Sequence, residues 1–262
     1  NKMIKKIIFL NKIKNIKSIS DFLLKIKHFI NLLLTFPRGG FARHTVDLFM
    51  KNISSKFPSK IKVLDVGAGN KPYESLFTDC FYESCEHETI HKETNVKNDD
   101  HSFYCDITKK MPKSDNCYDL IICNEVLEHI NEPSLALDEF YRILRPEGKL
   151  VITAPQCYGL HQEPYNYFNY LSYGLEYLLK KSKFTNITIK PLGGSFHLLG
   201  KLLNNCINIL FVKKNNYSKI IFYPIELFVK IIFYPILVLL FYLDFFDKNK
   251  KWTINYGCIC KK

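Results

Sequence analysis

The chain has 262 residues, of which 47% are hydrophobic, enough to bury the core of one α/β domain with appended segments. Its formal charge of +12 is uneven: residues 1–60 contain 13 Lys and Arg against two acidic residues, and the remainder contains 24 against 23. The nearly neutral remainder argues against a nucleic-acid enzyme, whose catalytic face would carry a positive groove.

The nine cysteines form no Cys-x-x-Cys pair and show no zinc-like Cys/His spacing. Free thiols in a reducing cytoplasm are the preferred interpretation. Lysines interrupt the first residues throughout, so the segment does not resemble a secretory signal. We therefore expect a cytoplasmic protein.

Residues 1–58 are predicted to form a basic, amphipathic, helical arm. Apolar residues recur at helical spacing through residues 4–34 with lysines between them, and residues 41–53 have the pattern of a further helix. One interpretation places the basic helix on an anionic membrane surface. The other is a helix that covers the core and exposes a solvated lysine face.

Residues 61–73 predict a buried strand, a glycine turn and the start of a helix. An apolar run leads to Gly67 and Gly69, which give the backbone freedom and leave room for a ligand. Pro72 suits the first turn of a helix, which we expect to extend to residue 77. The pattern favours the floor of a nucleotide-type cofactor site, although a purely structural turn has the same sequence.

Acidic residues are predicted at the ends of the next two strands. A second strand over residues 80–85 leads to Glu86, where a carboxylate accepts hydrogen bonds from ribose hydroxyls in doubly wound sheets. Glu83 and Glu88 are neighbours that could take this role instead. A third strand at residues 103–104 leads to Asp106 and Ile107, where the carboxylate would contact an adenine amino group or cap a turn.

Residues 119–154 continue the alternation of strand and helix. A fourth strand runs into the segment 125–130, and a helix capped by Ser134 ends near residue 144. A turn over residues 145–148 precedes a fifth strand over residues 149–154. This alternation predicts a parallel sheet with helices on both faces.

The order and spacing of these motifs resemble the class I S-adenosylmethionine-dependent methyltransferases, within the group labelled methyltransferase domain type 11. The resemblance covers about residues 60–155 and rests on residues 63–69, Glu86, Asp106, residues 118–130 and residues 144–152. It implies a Rossmann-like, seven-stranded, mostly parallel sheet with an antiparallel last strand. Asn70-Lys71-Pro72 departs from the third glycine of many members.

The resemblance also implies S-adenosylmethionine as the cofactor, which has no phosphate and so tolerates proline and lysine after the glycine turn. We expect Asp65 to help hold the cationic methionine end. The implied cofactor-binding residues are Asp65, Gly67, Ala68, Gly69, Glu86, Asp106, Ile107 and Asn124.

Methyl transfer from a sulfonium is an in-line displacement, so catalysis comes largely from positioning, and an oxygen nucleophile also needs a base. His161 and Glu163 follow the fifth strand, and His129 follows the fourth. Nearby aromatic residues would wall the pocket. We hypothesise that His161 is the base or binds substrate; the alternative is that it orders its loop.

Glu125, Glu128 and His129 also resemble the cluster that binds a magnesium-type ion in ubiquinone-pathway O-methyltransferases and small-RNA 2′-O-methyltransferases. His161 would complete such a site. Many relatives with the same residues use no metal, so a divalent metal is the less favoured interpretation.

The methyltransferase core is predicted over residues 59–194 and 250–262, with a hydrophobic helical insertion over residues 195–249. A near-repeat of eleven residues, 220–230 and 231–241, is long and apolar enough to suggest a membrane segment. If the segment crossed the bilayer once, the last β-strand would lie on the opposite side of the membrane from the rest of the sheet. We therefore expect two short helices, hinged near Pro235, that enter one leaflet and return. The alternative is a cap on the protein's own core or on a dimer partner.

Residues 161–168 and 173–179 resemble a subgroup often seen among bacterial cell-surface glycan enzymes. Together these resemblances imply a methyltransferase, with O-methylation favoured, that acts on a small molecule or a lipid-linked glycan or other cell-surface precursor. We expect it to be peripheral or monotopic on the inner face of the membrane. A non-catalytic membrane scaffold and a nucleic-acid methyltransferase are the alternatives. The second is disfavoured because Cys123-Asn124-Glu125 replaces the motif expected for exocyclic amine methylation.

Overall fold

The structure is a computed structural model that describes residues 40–88, 100–210 and 216–262. The helix predicted over residues 4–34 lies outside the described residues. The elements are α1 (Gly40–Ser54), β1 (Lys62–Val66), a 3₁₀ turn (Glu74–Leu76), β2 (Phe81–Glu86), β3 (Phe103–Tyr104), β4 (Tyr118–Asn124), a 3₁₀ turn (Leu127–His129), α2 (Pro133–Ile143), β5 (Leu144–Pro155), α3 (Ser172–Lys181), β6 (Thr185–Leu192), α4 (Ser195–Leu210), α5 (Asn216–Leu243), a 3₁₀ turn (Asp244–Phe246) and β7 (Asn255–Lys261).

The strands form one seven-stranded sheet in the order β3-β2-β1-β4-β5-β7-β6. Strands β1 to β5 pair with one another in parallel, whereas β7 lies between β5 and β6 and is antiparallel to both. The predicted fold class is confirmed. The strand order reverses between β1 and β4, and ligands of open α/β sheets bind beyond the carboxyl ends of the strands at such a point.

The core has two layers because the central strands bury both faces. In β4, Leu120, Ile121, Ile122 and Cys123 are all fully buried. Alternate residues point to opposite faces, so Ile121 and Cys123 join one apolar cluster while Leu120 and Ile122 join the other. The first cluster includes residues of α2 and α3, and the second includes residues of α1, so helices cover both faces of the sheet.

The helix α1 belongs to this packing although its residues fall within the predicted arm of residues 1–58. Val46, Met50 and Ile53 are buried on one side of α1, at the spacing of a helix face. They contact the sheet cluster that contains Val63 and Leu120. Part of the region predicted as an arm therefore packs on the sheet.

Three local predictions are wrong. The segment after Pro72 forms only a 3₁₀ turn and no α-helix. No side chain at its start caps a helix, and the buried rings of Tyr73 and Phe77 hold the chain in place instead. The helix α2 begins at Pro133, the favoured first position for proline, so Ser134 is inside it and does not cap it.

The third wrong prediction is the turn over residues 145–148. The chain there is the first part of β5, which pairs with β4 at Tyr118 and Leu144 and again from Leu120 and Lys149, with an irregularity between. Arg145 donates to the Asp119 carboxylate at 2.7 Å, which ties this irregular part to the neighbouring strand.

The insertion consists of α4 and α5, which pack against each other. The helix α5 is continuous through Pro235, so the predicted hinge is wrong. A proline inside a helix removes one backbone hydrogen bond and costs about 3 kcal/mol. Burial of Leu237, Val238 and Leu240 just after it favours the continuous helix.

Both ends of the insertion meet at one point. The buried Asp244 carboxylate, after α5, accepts hydrogen bonds from the backbone N–H groups of Gly194 and His197 at 2.9 and 3.1 Å. Asp247 accepts from the N–H of Ser195 at 2.8 Å. The four unpaired N–H groups at the start of α4 are thus partly satisfied by the segment that follows α5. The insertion leaves and rejoins the sheet at the same place.

One described helix is long and apolar enough to span a bilayer by length and composition alone. The segment Phe228–Phe246 has 19 residues and a mean hydropathy of 2.0, and 22% of its most apolar window is buried. Because α5 returns directly to β7 inside the sheet, a single crossing is incompatible with this topology. The large exposed apolar and aromatic side chains along this segment are Phe228, Ile231, Ile232, Ile236, Leu239, Tyr242, Phe245 and Phe246.

Candidate active site

A cleft opens beyond the carboxyl ends of β1, β2 and β4. Five of the predicted cofactor-binding residues line it: Gly67, Gly69, Glu86, Asp106 and Ile107. Its other walls include residues from the segment after β4, among them Glu125, Val126, His129 and Ile130, together with Gln162. The cleft lies where the strand order reverses, as the topology predicts.

The glycine turn forms the floor of the cleft. Gly67 and Gly69 have φ of +62° and +53°, in the left-handed region that disfavours other residues. The N–H of Gly67 donates to the carbonyl of Cys85 at 2.9 Å, which joins the turn to β2. A Cβ atom on Gly67 would clash with the Val126 side chain, so glycine is required here by both conformation and space.

Glu86 links the floor to the side wall. Its Oε2 accepts from the N–H of Gly69 at 3.0 Å and its Oε1 accepts from the N–H of His87 at 2.9 Å. An ionised carboxylate has about four acceptor positions, so two bonds leave acceptor capacity facing the cleft. This arrangement fits a group with adjacent hydroxyls, such as a ribose.

Asp106 both shapes a turn and lines the cleft. Its Oδ1 accepts from the backbone N–H and the hydroxyl of Thr108, at 3.0 and 2.6 Å. Burial works to raise the pKa of Asp106, but these bonds and Lys109 lower it below its ordinary value. Asp106 can therefore cap the turn and also contact the cofactor, so the two interpretations of the sequence do not exclude each other.

The remaining three predicted cofactor residues, Asp65, Ala68 and Asn124, lie near the cleft but do not line it. The Asp65 carboxylate is buried and accepts from the Tyr82 hydroxyl at 2.6 Å. Burial raises the pKa of Asp65 to about 7, although the Tyr82 hydrogen bond opposes the change. The role of Asp65 toward the methionine end stays a prediction.

A cluster of acidic and imidazole groups stands at the cleft wall. Glu128 is fully buried, and neither carboxylate oxygen has a hydrogen-bond partner among the described residues. Burial, helped by the neighbouring Glu125, raises the pKa of Glu128 well above its ordinary value. Glu125 itself has φ of +52° at the end of β4. Such unpaired buried groups and strained backbone are typical of functional sites.

His129 and His161 aim the same ring atom at Glu128. Nδ1 of His129 contacts the carbonyl of Tyr165, and Nδ1 of His161 contacts the carbonyl of Gly159 at 3.0 Å. A carbonyl only accepts, so each Nδ1 carries the hydrogen and each Nε2 has a free lone pair in the neutral ring. The Nε2 atoms lie 3.8 and 4.0 Å from Glu128 Oε1. Burial lowers the pKa of His129, which keeps it neutral near pH 7.

This geometry allows two kinds of chemistry. A neutral imidazole next to a cofactor cleft is a suitable general base. The ligand atoms of Glu128, His129 and His161 also lie within 4.8 Å of one another, and the Nδ1 bonds are the second-shell contacts common for metal-binding histidines. The residues therefore fit a divalent metal as well. Glu163, the other predicted catalytic residue, is exposed and outside this cluster.

Sequence reasoning did not identify two residues beside the cluster, Tyr158 and Lys201. The ring of Tyr158 lies 4.9 Å from that of His161, and the Lys201 ammonium lies 3.1 Å from the Tyr158 ring centre. Lys201 is on α4, far along the chain from the other site residues. Burial lowers the pKa of Lys201 to about 8. Nothing in the sequence motifs signals its position, because only the packing of the insertion brings it here.

Comparison with known proteins agrees with the geometry. The family model described as "Methyltransferase domain" matches residues 39–182, more than half of the chain. The mouse mitochondrial ubiquinone biosynthesis O-methyltransferase is 28% identical over 122 residues, covering 41% of this chain and 33% of that protein. An uncharacterised Methanocaldococcus jannaschii protein is 28% identical over 132 residues, covering 48% and 53%. The chain thus spans between a third and about half of these relatives.

Solved structures with the same fold include an Archaeoglobus fulgidus S-adenosylmethionine-dependent methyltransferase, with a TM-score of 0.53, 14% identity, and coverage of 84% of this chain and 94% of that one. A Haemonchus contortus phosphoethanolamine N-methyltransferase in complex with S-adenosylmethionine has a TM-score of 0.50, 16% identity, and coverage of 82% and 52%. At these identities the likeness concerns the fold. With the family match and the cleft described above, the chain belongs to the methyltransferase domain family.

Proposed function

We propose that the chain is an O-methyltransferase that works at a membrane surface on a small-molecule or lipid-linked acceptor, such as a glycan or other cell-surface precursor. The observation that supports the reaction class is the pair of imidazoles of His129 and His161, whose Nδ1 atoms contact carbonyls and whose Nε2 atoms have no hydrogen-bond partner among the described residues, with His129 lining the cofactor cleft. An attacking hydroxyl must lose a proton, and these groups are placed to accept it.

The cleft residues fit S-adenosylmethionine, which supplies an electrophilic methyl group when bound. Gly67 and Gly69 leave the floor free of side chains, Glu86 offers acceptors for ribose hydroxyls, and Asp106 and Ile107 suit the adenine end. His129 and Gln162 close the opposite wall. The protein's contribution is to hold the acceptor in line, exclude water and remove the proton.

The similarity to the ubiquinone-pathway O-methyltransferase supports an oxygen acceptor, at low identity and over part of each chain. That relative's name refers to the biosynthesis of ubiquinone, and we do not assign the same substrate here. A lipid-linked acceptor accords with the large apolar side chains that α5 exposes.

The membrane location rests on the exposed side of α5. Phe228, Ile231 and Ile232 are 63%, 62% and 49% exposed, an unusual density of large apolar side chains on a water-facing helix. Residues 1–39 contain nine basic residues and one acidic residue, which complements an anionic lipid surface. Since both ends of the insertion meet at the sheet, we infer insertion into one leaflet on the cytoplasmic side, without crossing.

The reaction class is tested by incubating the full chain with methyl-labelled S-adenosylmethionine and separate lipid and aqueous extracts of the source cells. We expect label in the lipid fraction. Mild base should release it as methanol if the product is a methyl ester, whereas a methyl ether should retain the label. Label confined to protein or nucleic acid would contradict the proposal.

The membrane location is tested by flotation with vesicles of neutral and anionic phospholipids. Ile232→Ser with Ile236→Ser and Leu239→Ser should reduce vesicle binding and leave cofactor affinity unchanged. Tyr173→Ser with Tyr177→Ser is the matched control, because these α3 side chains are 83% and 66% exposed. Full vesicle binding by the α5 variant would contradict a role of α5 in the membrane.

A further inference from the structure

Lys201 connects the insertion to the reaction site. It is the partly buried neighbour of Gly200 on α4, and Gly200 packs so tightly against the Phe41 ring of α1 that a Cβ atom there would clash. This close approach of α4 to α1 fixes the position of the Lys201 backbone relative to the site. The position of its ammonium is therefore set by packing and is not that of a free surface lysine.

The ammonium has few direct partners for a group withdrawn from water. The carboxyl group that acts on it electrostatically is that of Glu125, and burial raises the pKa of Glu125, which favours its neutral form. Among the described residues its direct contacts are the carbonyl of Cys157 at 3.3 Å and the face of the Tyr158 ring at 3.1 Å. An ammonium has three donors, so at least one N–H direction has no protein acceptor. A partly desolvated cation with an unused donor is stabilised by an anion that approaches it.

A continuous set of contacts leads from this cation to the catalytic cluster. The Tyr158 ring lies 4.9 Å from the His161 ring, and the His161 ring lies 4.8 Å from that of His129. His129 lines the cofactor cleft, whereas Lys201 and Tyr158 do not. Lys201 also interacts electrostatically with Glu125, which lines the cleft, so the cation lies close to the wall that a bound acceptor must approach.

We propose that Lys201 binds an anionic group of the methyl acceptor, a carboxylate or a phosphate, and so determines which acceptors are used. Tyr158 would hold the apolar or ring part of the acceptor next to that group. This inference rests on the proposed methyltransferase function. It goes further by assigning a charge to the acceptor and a residue of the insertion to its recognition.

Ligand-observed NMR tests this proposal. It compares the binding of benzoate, phenyl phosphate and benzyl alcohol to the full chain saturated with S-adenosylmethionine. We expect at least one anion to bind about tenfold or more tightly than the neutral alcohol, and high salt to weaken only the anion. Tighter phenyl phosphate would identify a phosphate, and tighter benzoate a carboxylate. Equal binding of all three probes, or no binding of either anion, would overturn the proposal.

Variants distinguish the contribution of Lys201 to anion binding from that of other charged residues. Lys201→Met should abolish the preference for the anion, Lys201→Arg should retain it, and Lys180→Met, an exposed lysine paired with Glu176 on α3, should have no effect. Anion binding undiminished in Lys201→Met would also overturn the proposal. Calorimetric titration with S-adenosylmethionine reports folding of each variant, and failure of the wild type in that titration would instead refute the methyltransferase function.

Discussion

The carboxylate of Glu86 accepts a hydrogen bond from the backbone N–H of Gly69 at 3.0 Å. The end of β2 and the glycine turn after β1 are thereby joined, although 17 positions separate the two residues in sequence. One acidic side chain thus holds the floor of the cleft and also faces the cofactor.

Replacement of Glu86 by alanine removes both the link to the turn and the acceptors for ribose. We expect cofactor affinity to fall by about 100-fold, since hydrogen bonds to a charged group contribute about 1.5–3 kcal/mol. Calorimetric titration with S-adenosylmethionine measures this. Glu132→Ala, an exposed position before α2, is the control, and equal affinity of both variants would contradict the role of Glu86.

Gly67→Ala should lose measurable cofactor binding. The substitution places a Cβ atom against Val126 and a side chain at φ of +62°. Gly174→Ala is the matched control, because a Cβ atom at Gly174 meets nothing within 4 Å. A Gly67→Ala protein that binds S-adenosylmethionine as the wild type does would show that the turn is only structural.

His161→Ala should lower turnover by about 10²- to 10⁴-fold, the usual contribution of a general base. Cofactor affinity should persist because His161 is not among the residues lining the cleft. His161→Asn separates the two interpretations, since an asparagine amide can still donate to the Gly159 carbonyl but cannot take up a proton. If His161→Asn keeps full turnover, His161 orders its loop and is not the base.

Metal removal distinguishes the two chemistries of the Glu128, His129 and His161 cluster. With imidazole as the base, which we favour, turnover should survive exhaustive chelation by EDTA followed by dialysis. The measurement is methyl transfer before chelation, after it, and after addition of Mg²⁺ or Zn²⁺. Loss that a divalent ion restores would instead establish the metal interpretation.

Asp65 should make stability depend on pH. Its pKa is about 7 in the folded state against an ordinary value of 3.8, so the folded state binds the proton more tightly. The associated stability is fully present below about pH 4 and is lost as pH rises to about 7, by up to about 4 kcal/mol.

Urea unfolding at pH 4, 5.5 and 7.5 measures this dependence. Asp65→Asn retains an acceptor for the Tyr82 hydroxyl and should lose less stability between pH 4 and 7 than the wild type, the remaining loss coming from buried carboxyl groups such as Glu128. Asp138→Asn, at an exposed position, should behave as the wild type. Identical pH dependence of wild type and Asp65→Asn would show that Asp65 is ionised in the folded protein over this range.

Much of the core could be predicted because its signals are local. The apolar run of β4 must be buried on both faces, and the positive φ at Gly67 and Gly69 follows from residues that tolerate it. Local signals failed where a short segment depends on its surroundings. The segment after Pro72 is held by buried aromatic rings and not by helix formation, and α5 continues through Pro235 because the residues after it are buried.

The sequence by itself determined the parallel sheet with helices on both faces, the glycine turn and the acidic positions at the strand ends, since each depends on neighbours in the chain or on the fixed periods of strands and helices, whereas the seven-stranded class came from the family resemblance. Only the tertiary structure decided that Asp65 faces Tyr82, that both imidazoles point Nε2 at Glu128, and that Lys201 of the insertion stands beside Tyr158. Apart from the contact between the adjacent Glu128 and His129, these contacts join residues far apart in sequence. They depend on the pairing of β1 with β2, on how α4 packs against α1 and on how the loop after β5 contacts the segment after β4, and no local pattern encodes those distances.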